Sequence, residues 1–186
     1  YESRSMIILT CGVSGSGKSY LSEQLVTALP AARVRSDVER KRLYALDPIE
    51  RVNTFDQTLL YSHETTARTY ARLLDCATGM IEGGIPVIID ATFQRHKQRE
   101  PFLALAHAAN IPCVIVHTTA STKTLQQRIR ERRQRNNDAS DADLHVLDLQ
   151  QRDWEPLSAM EQRHVIEVNT DEPIDLVRIT AEIQSH

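Results

Sequence analysis

Eight consecutive residues constrain this chain more than any others: Gly12-Val13-Ser14-Gly15-Ser16-Gly17-Lys18-Ser19. They match the pattern G-x-x-x-x-G-K-[ST] in full. An apolar run, Met6-Ile7-Ile8-Leu9-Thr10-Cys11, precedes them, and a segment with apolar residues at Leu21, Leu25, Val26 and Leu29 follows. A buried strand that enters such a loop and leaves as an amphipathic helix builds an anion cradle. Glycine lets the backbone take positive φ and come close to a ligand, so that successive N–H groups point into one concavity. The helix N-terminus adds its dipole. In this geometry Lys18 reaches the β- and γ-phosphates of a nucleotide and Ser19 offers its hydroxyl to Mg²⁺. The nucleotide-binding set is therefore Gly12, Ser14, Gly15, Ser16, Gly17, Lys18, Ser19 and Tyr20, with Lys18 also catalytic.

The rest of the chain alternates between two periodicities. Helical spacing predicts helices over 18–29, 38–46, 55–82, 97–110, 121–135 and 174–183. Another helix is expected after the polar, turn-like stretch 136–140, capped by Ser140 with Asp143 three residues on. Short apolar runs predict further strands over 32–35, 86–90, 112–117 and 165–168. Strands alternating with helices imply a three-layer α/β architecture: a parallel five-stranded sheet flanked by helices. With 186 residues and no internal linker, the chain reads as one domain, 1–186. The first five residues are polar and begin with Tyr1, so they are expected to be disordered or a tag remnant. The same start fits a piece of a longer protein.

Composition excludes some functions. The formal net charge is -3, which argues against a nucleic-acid groove. No apolar run is long enough to span a membrane. The three cysteines, Cys11, Cys76 and Cys113, have no metal-ligand spacing and fit free thiols in a reducing cytoplasm.

Two carboxylates sit where the ligand of an open α/β sheet lies, beyond the carboxyl ends of strands. Asp37, in Arg35-Ser36-Asp37-Val38-Glu39-Arg40, can accept a proton from an acceptor hydroxyl or share in metal binding. Arg40, on the same helix face, either holds an anionic group of the acceptor or pairs with Asp37. Asp90 ends the apolar strand Val87-Ile88-Ile89, the usual position for a carboxylate that orients Mg²⁺ or its water, and Thr92 can add a hydroxyl. Arg128, Arg132 and Arg135 share one face of an arginine-rich helix and can stabilise the charge of a phosphoryl group in flight. Tyr61, His63 and Thr65 can line an acceptor pocket, although packing is the simpler role; Trp154 reads as a packing anchor.

Taken together, the cradle, the Ser36-to-Arg40 segment, Val87-Ile88-Ile89-Asp90-Ala91-Thr92-Phe93 and the arginine helix running into Asp138–Asp143 resemble a P-loop kinase group. It includes polynucleotide kinases, zeta-toxin kinases and gluconate kinase. The closest likeness is to an AAA-type ATP-binding domain that often occurs fused behind an aminoglycoside-phosphotransferase-like domain. The resemblance covers about residues 6–172. It implies a P-loop NTPase fold with an arginine-rich lid at about 128–143, ATP and Mg²⁺ as cofactors, and a fused or interacting phosphotransferase-like domain as a partner. It also implies that Asp37 is the general base, that Arg40 seats the acceptor, that the lid arginines contact ATP phosphates, and that the loop with Thr170 packs near the adenine. The activity it implies is transfer of the γ-phosphoryl group of ATP to a hydroxyl of a small-molecule acceptor. Two other activities stand beside it, a regulatory ATPase module and a polynucleotide 5′-hydroxyl kinase. Polynucleotide kinases commonly carry an acidic pair where this chain has Ser36-Asp37, which counts against the second. ATP and GTP are not distinguished by any motif.

Overall fold

The computed structural model describes residues 5–44, 61–136 and 142–186. Among them a five-stranded, wholly parallel sheet is built from β1 (Ile7–Cys11), β2 (Ala32–Arg35), β3 (Val87–Asp90), β4 (Cys113–Thr119) and β5 (Val165–Asn169), in the order β2-β3-β1-β4-β5. The helices are α1 (Lys18–Ala28), α2 (Ser36–Arg42), α3 (His63–Glu82), α4 (His96–Ala108), α5 (Thr122–Asn136), α6 (Ala142–Arg152) and α7 (Leu176–Gln184). A 3₁₀ turn, Glu161–His164, leads into β5.

Successive strand side chains point to opposite faces, and here both faces are covered. Ile7, Leu9, Cys11, Val87, Ile89 and Ile115 pack against Leu73 and Ala77 of α3 and Phe102 and Ala106 of α4. Ile8, Ile88, Val114, Val116, Ile166 and Val168 face Leu21 and Leu25 of α1 and Ile179 and Ile183 of α7. That gives the three expected layers. A small third cluster joins Leu125 and Ile129 of α5 to Leu147 of α6, with Val13 of the cradle packed against it.

Some element boundaries differ from the sequence reading. Helix α2 begins at Ser36, before the expected Val38, so Asp37 and Glu39 occupy its first turn, where the helix dipole favours acids. Helix α3 is described from His63, capped by Ser62 Oγ, which accepts the Thr65 N–H at 3.3 Å; the expected start at Phe55 lies outside the described residues. Helix α5 runs on to Asn136, where a turn was expected. The proposed cap Ser140 lies outside the described residues.

The strand order carries β1 to the centre of the sheet. Its carboxyl end, which opens into the cradle, is flanked by the ends of β3 and β4, and Arg35 is in register with Asp90.

Candidate active site

Two cradle glycines need the conformation that only glycine takes cheaply: Gly15 has φ 80° and Gly17 φ 90°. Gly17 is the N-cap of α1, and Leu21 N–H closes the first turn on its carbonyl at 2.9 Å. Gly12 is constrained by space instead. A Cβ there would collide with the hydroxyls of Ser16 and Thr118 and with the Thr118 carbonyl. Those two hydroxyls bond each other at 2.8 Å, which pins the loop to β4.

Lys18 is partly buried at the mouth of this loop. Burial pushes its ammonium below the usual range, Asp90 and Asp37 oppose the shift, and Arg132 and Arg35 add to it. Lys18, Asp37, Asp90, Arg35 and Arg132 thus share one electrostatic site.

Asp90 is buried, with 4% of its side chain exposed. Its Oδ2 accepts from Ser22 Oγ and from Arg33 Nη2, each at 2.9 Å; its Oδ1 faces Ser19 Oγ at 3.5 Å. A carboxylate and a hydroxyl on adjacent elements form an oxygen donor pair suited to Mg²⁺, which keeps several waters and phosphate oxygens in its shell. No group of three acidic, histidine or cysteine side chains among the described residues makes a metal cage, and Mg²⁺ does not need one.

Asp37 is exposed, with its Oδ2 3.4 Å from Arg35 Nη2 and its Oδ1 accepting the Val38 N–H at 3.0 Å. Arg33 and Arg35, two residues apart on β2, both reach Asp90, at 2.9 and 3.9 Å. The buried Nε atoms of both find no hydrogen-bond partner among the described residues. Arg40 is nearly buried, at 8% exposure. Its Nη1 donates to Thr66 Oγ1 at 3.0 Å and its guanidinium lies 4.9 Å from the Tyr61 ring centroid.

The arginines of α5 differ in kind. Arg128 is a tie: its Nη1 donates to the Gly15 carbonyl at 3.1 Å and to Thr170 Oγ1 at 2.8 Å, and its Nη2 to the Thr170 carbonyl at 2.5 Å. Thr170 in turn donates to the Ser16 carbonyl at 2.7 Å. Arg132 is exposed. The Arg135 side chain lies outside the described residues, as does part of the expected lid.

Beside the cradle is a cavity of about 390 Å³ lined by Gly15, Gly17, Tyr20, Arg128, Glu131, Arg132, Thr170 and Ile174. A second cleft, about 510 Å³, lies between α3 and α4 and is walled by Tyr61, His63, Thr66, Tyr70, Gln94, Arg95 and Lys97 among others. Thr65 is not part of it; buried at 1% exposure, it bonds Ser62 and Tyr44. A larger cavity, about 650 Å³, runs along α4 to Pro112 and His164, at the start of β4 and β5 and away from the cradle.

The turn after β3 is built around Phe93, fully buried at φ 49°, a conformation costly for an aromatic residue. Its N–H donates to Tyr70 Oη at 3.0 Å, and Arg99 Nη1 donates to its carbonyl at 2.8 Å. Arg99 and Glu161 form a buried ion pair that holds this turn against the chain leaving α6. Trp154, in that same stretch, stacks on His117 with centroids 5.7 Å apart.

Sequence reasoning did not select Ser22, Arg33, Thr118 or Gln150, whose Oε1 accepts the Ser14 N–H at 2.8 Å. Arg33 alone left a signal, as one of two arginines with strand spacing on β2.

A glycine-rich loop between the central strand of a parallel sheet and a helix, with a strand-end aspartate beside it, defines a P-loop nucleotide-binding domain. The chain belongs to the AAA domain family (AAA_33), whose model matches residues 7–157. No curated protein matches it. Among solved structures it is similar to a candidate kinase from Chloroflexus aurantiacus j-10-fl, with TM-score 0.72 and 22% identity over 99% of this chain and 98% of that one. It is also similar to a sugar kinase from Janibacter sp. HTCC2649, with TM-score 0.66 and 14% identity over 98% and 93%. A gluconokinase from Sinorhizobium meliloti 1021 follows, with TM-score 0.62 and 17% identity over 99% and 91%. At these identities the likeness is one of fold.

Proposed function

We propose that this chain is an ATP-dependent phosphotransferase that moves the γ-phosphoryl group of ATP to a hydroxyl of a small-molecule acceptor. The observation that carries the reading is the exposed Asp37 in the same electrostatic site as Lys18 and Asp90. A nucleotide switch needs the cradle and the metal pair; only transfer to an acceptor needs a further exposed carboxylate beside them.

In this reading ATP lies with its phosphates along the cradle N–H groups and its nucleoside against Tyr20 and Thr170. Ser19 and Asp90, with Asp37 as a further oxygen donor, would hold Mg²⁺, which when bound would supply neutralising charge for the β- and γ-phosphates. Asp37 takes the proton of the acceptor hydroxyl as its oxygen bonds to the γ-phosphorus and the bond to the β–γ bridging oxygen breaks, leaving ADP. Lys18 and Arg132 stabilise the transferring group. Arg128 positions the cradle through Gly15 and Thr170. The acceptor takes the cleft between α3 and α4, with Arg40 bracing two of its wall residues, Thr66 and Tyr61. The sugar kinase and gluconokinase folds favour a polyhydroxylated acceptor. Three free cysteines fit a reducing cytoplasm. A fused or interacting phosphotransferase-like domain is the partner this reading carries.

The test is a transfer screen with γ-labelled ATP and Mg²⁺ over sugars, sugar acids, nucleosides, aminoglycosides and 5′-hydroxyl oligonucleotides, comparing the wild type with Asp37→Ala. Label reaching one acceptor class with the wild type alone supports the reading. Slow phosphate release, equal in both proteins and with no labelled acceptor, overturns it in favour of a regulatory ATPase.

A further inference from the structure

Ser14 N–H is a cradle donor, yet a neutral side-chain carbonyl already occupies it: Gln150 Oε1 at 2.8 Å, from a residue 136 positions away in sequence. Gln150 is on α6, and α6 also packs on α5, the helix against which the loop's Val13 rests. Leu147 packs with Leu125 and Ile129 of α5 in the cluster that Val13 joins. Gln151 Nε2 donates to Thr122 Oγ1 at the start of α5, at 3.3 Å.

The order of donors along the loop decides what Gln150 competes with. Gly17 and Lys18 are at the N-terminus of α1, where the dipole and converging N–H groups favour the inner phosphates. Gly15 and Gly17 line the nucleoside-side cavity. Ser14 is not among the residues lining that cavity, and its N–H meets α6 at Gln150, so within this reading its donor is left for the terminal phosphate. We infer that Gln150 is a positioning residue that discriminates triphosphate from diphosphate: the terminal phosphate displaces its carbonyl from Ser14 N–H and so shifts α6, whereas a diphosphate leaves the contact intact. The inference rests on the nucleotide-binding reading above.

The molecule carries its own reporter. Trp154 is the one tryptophan, two residues past the end of α6, and stacks on His117 of β4 with planes 7° apart. A movement of α6 alters that stack.

The experiment titrates the wild-type chain 1–186, Gln150→Met and Gln150→Glu with ADP and with the non-hydrolysable triphosphate AMP-PNP in Mg²⁺. Affinity is read by calorimetry and α6 by Trp154 fluorescence. Methionine keeps the bulk of glutamine without its competing carbonyl. It is expected to tighten AMP-PNP binding about three- to tenfold, the size of one hydrogen bond, and to leave ADP unchanged. Glutamate holds Ser14 N–H more strongly and repels phosphate, so AMP-PNP is expected to weaken at least about tenfold and ADP by much less. In the wild type, AMP-PNP changes Trp154 emission and ADP does not. Equal effects of both variants on the two nucleotides, or equal Trp154 signals, overturn the role of Gln150 and leave the cradle reading standing. A wild type that binds neither nucleotide overturns both.

Discussion

Arg33 Nη2 donates to Asp90 Oδ2 at 2.9 Å and to the Ser19 carbonyl at 3.1 Å, so one side chain of β2 joins the strand-end carboxylate to the first turn of α1. The two oxygens on which the metal reading depends are thereby held in one frame. Arg33→Met keeps most of the aliphatic stem and removes the guanidinium. With Asp90 nearly buried, loss of the nearer of its two arginine partners is expected to cost about 1–3 kcal/mol of stability, Arg35 at 3.9 Å remaining. The metal pair also loosens, so the Mg²⁺ concentration for half-maximal turnover rises several-fold. Urea unfolding and a Mg²⁺ titration measure the two effects. An unchanged Mg²⁺ dependence shows that Arg33 is a fold residue only.

Arg128 and Arg132 lie one helical turn apart on α5, and their substitutions are expected to separate cleanly. Arg128 is held by Gly15 and Thr170, which makes it part of the cradle's scaffold. Arg128→Ala is expected to lower stability by about 2 kcal/mol, the range for hydrogen bonds made by a charged group, and to weaken nucleotide binding. Arg132 is exposed, and its removal is expected to leave stability within about 0.5 kcal/mol. Its effect falls on kcat, a loss of roughly 10²- to 10³-fold, with nucleotide affinity little altered. Denaturation curves beside steady-state kinetics test the pair; a kcat loss confined to Arg128→Ala reverses the assignment.

The difference between what was readable in the sequence and what was not follows from contact distance along the chain. The cradle is a local object, and its glycines, Lys18 and Ser19 are adjacent by construction. The apolar strands announce themselves because both faces of a parallel sheet are covered. The partners of Asp90 carry no local pattern. Arg33 is 57 residues from it, and Gln150 is 136 from Ser14. Such pairs exist only once the order β2-β3-β1-β4-β5 has brought the elements together. Arg99 misleads in a different way. It sits among charged residues with no local pattern to mark it, yet it is fully buried because Glu161, 62 residues on, and three backbone carbonyls satisfy it.

Gly12 tests the packing of the cradle apart from its flexibility. Its φ is ordinary, and alanine is excluded by the Ser16 and Thr118 hydroxyls and by the Thr118 carbonyl, 2.8 Å from where a Cβ would sit. A carbonyl of β4 cannot step aside without disturbing the sheet. Gly12→Ala is expected to cost about 1–3 kcal/mol and to weaken nucleotide binding at least about tenfold by pushing the loop off β4. Thermal unfolding and nucleotide titration check this; full affinity in the variant shows that the loop has more room than its contacts imply.

The Arg99–Glu161 pair is expected to make the fold sensitive to acid. Burial by itself raises the Glu161 carboxyl, but hydrogen bonds from Arg99, the Ser158 N–H and His96 more than offset it and hold it down to about 2, against an ordinary 4.5. The folded value is below the unfolded one, so the ionised pair stabilises the protein fully above pH 4.5. That stability is lost as pH falls from 4.5 towards 2, by roughly 3 kcal/mol over the window. Glu161→Gln removes the titration and leaves Arg99 buried without its anion, at a cost of about 3–5 kcal/mol near neutral pH. The variant is therefore expected to be much less stable than the wild type at pH 7 and to lose less of what remains between pH 5 and 3. Urea midpoints at pH 7, 5, 4 and 3 measure both slopes. Parallel slopes show that the acid sensitivity lies in other carboxylates.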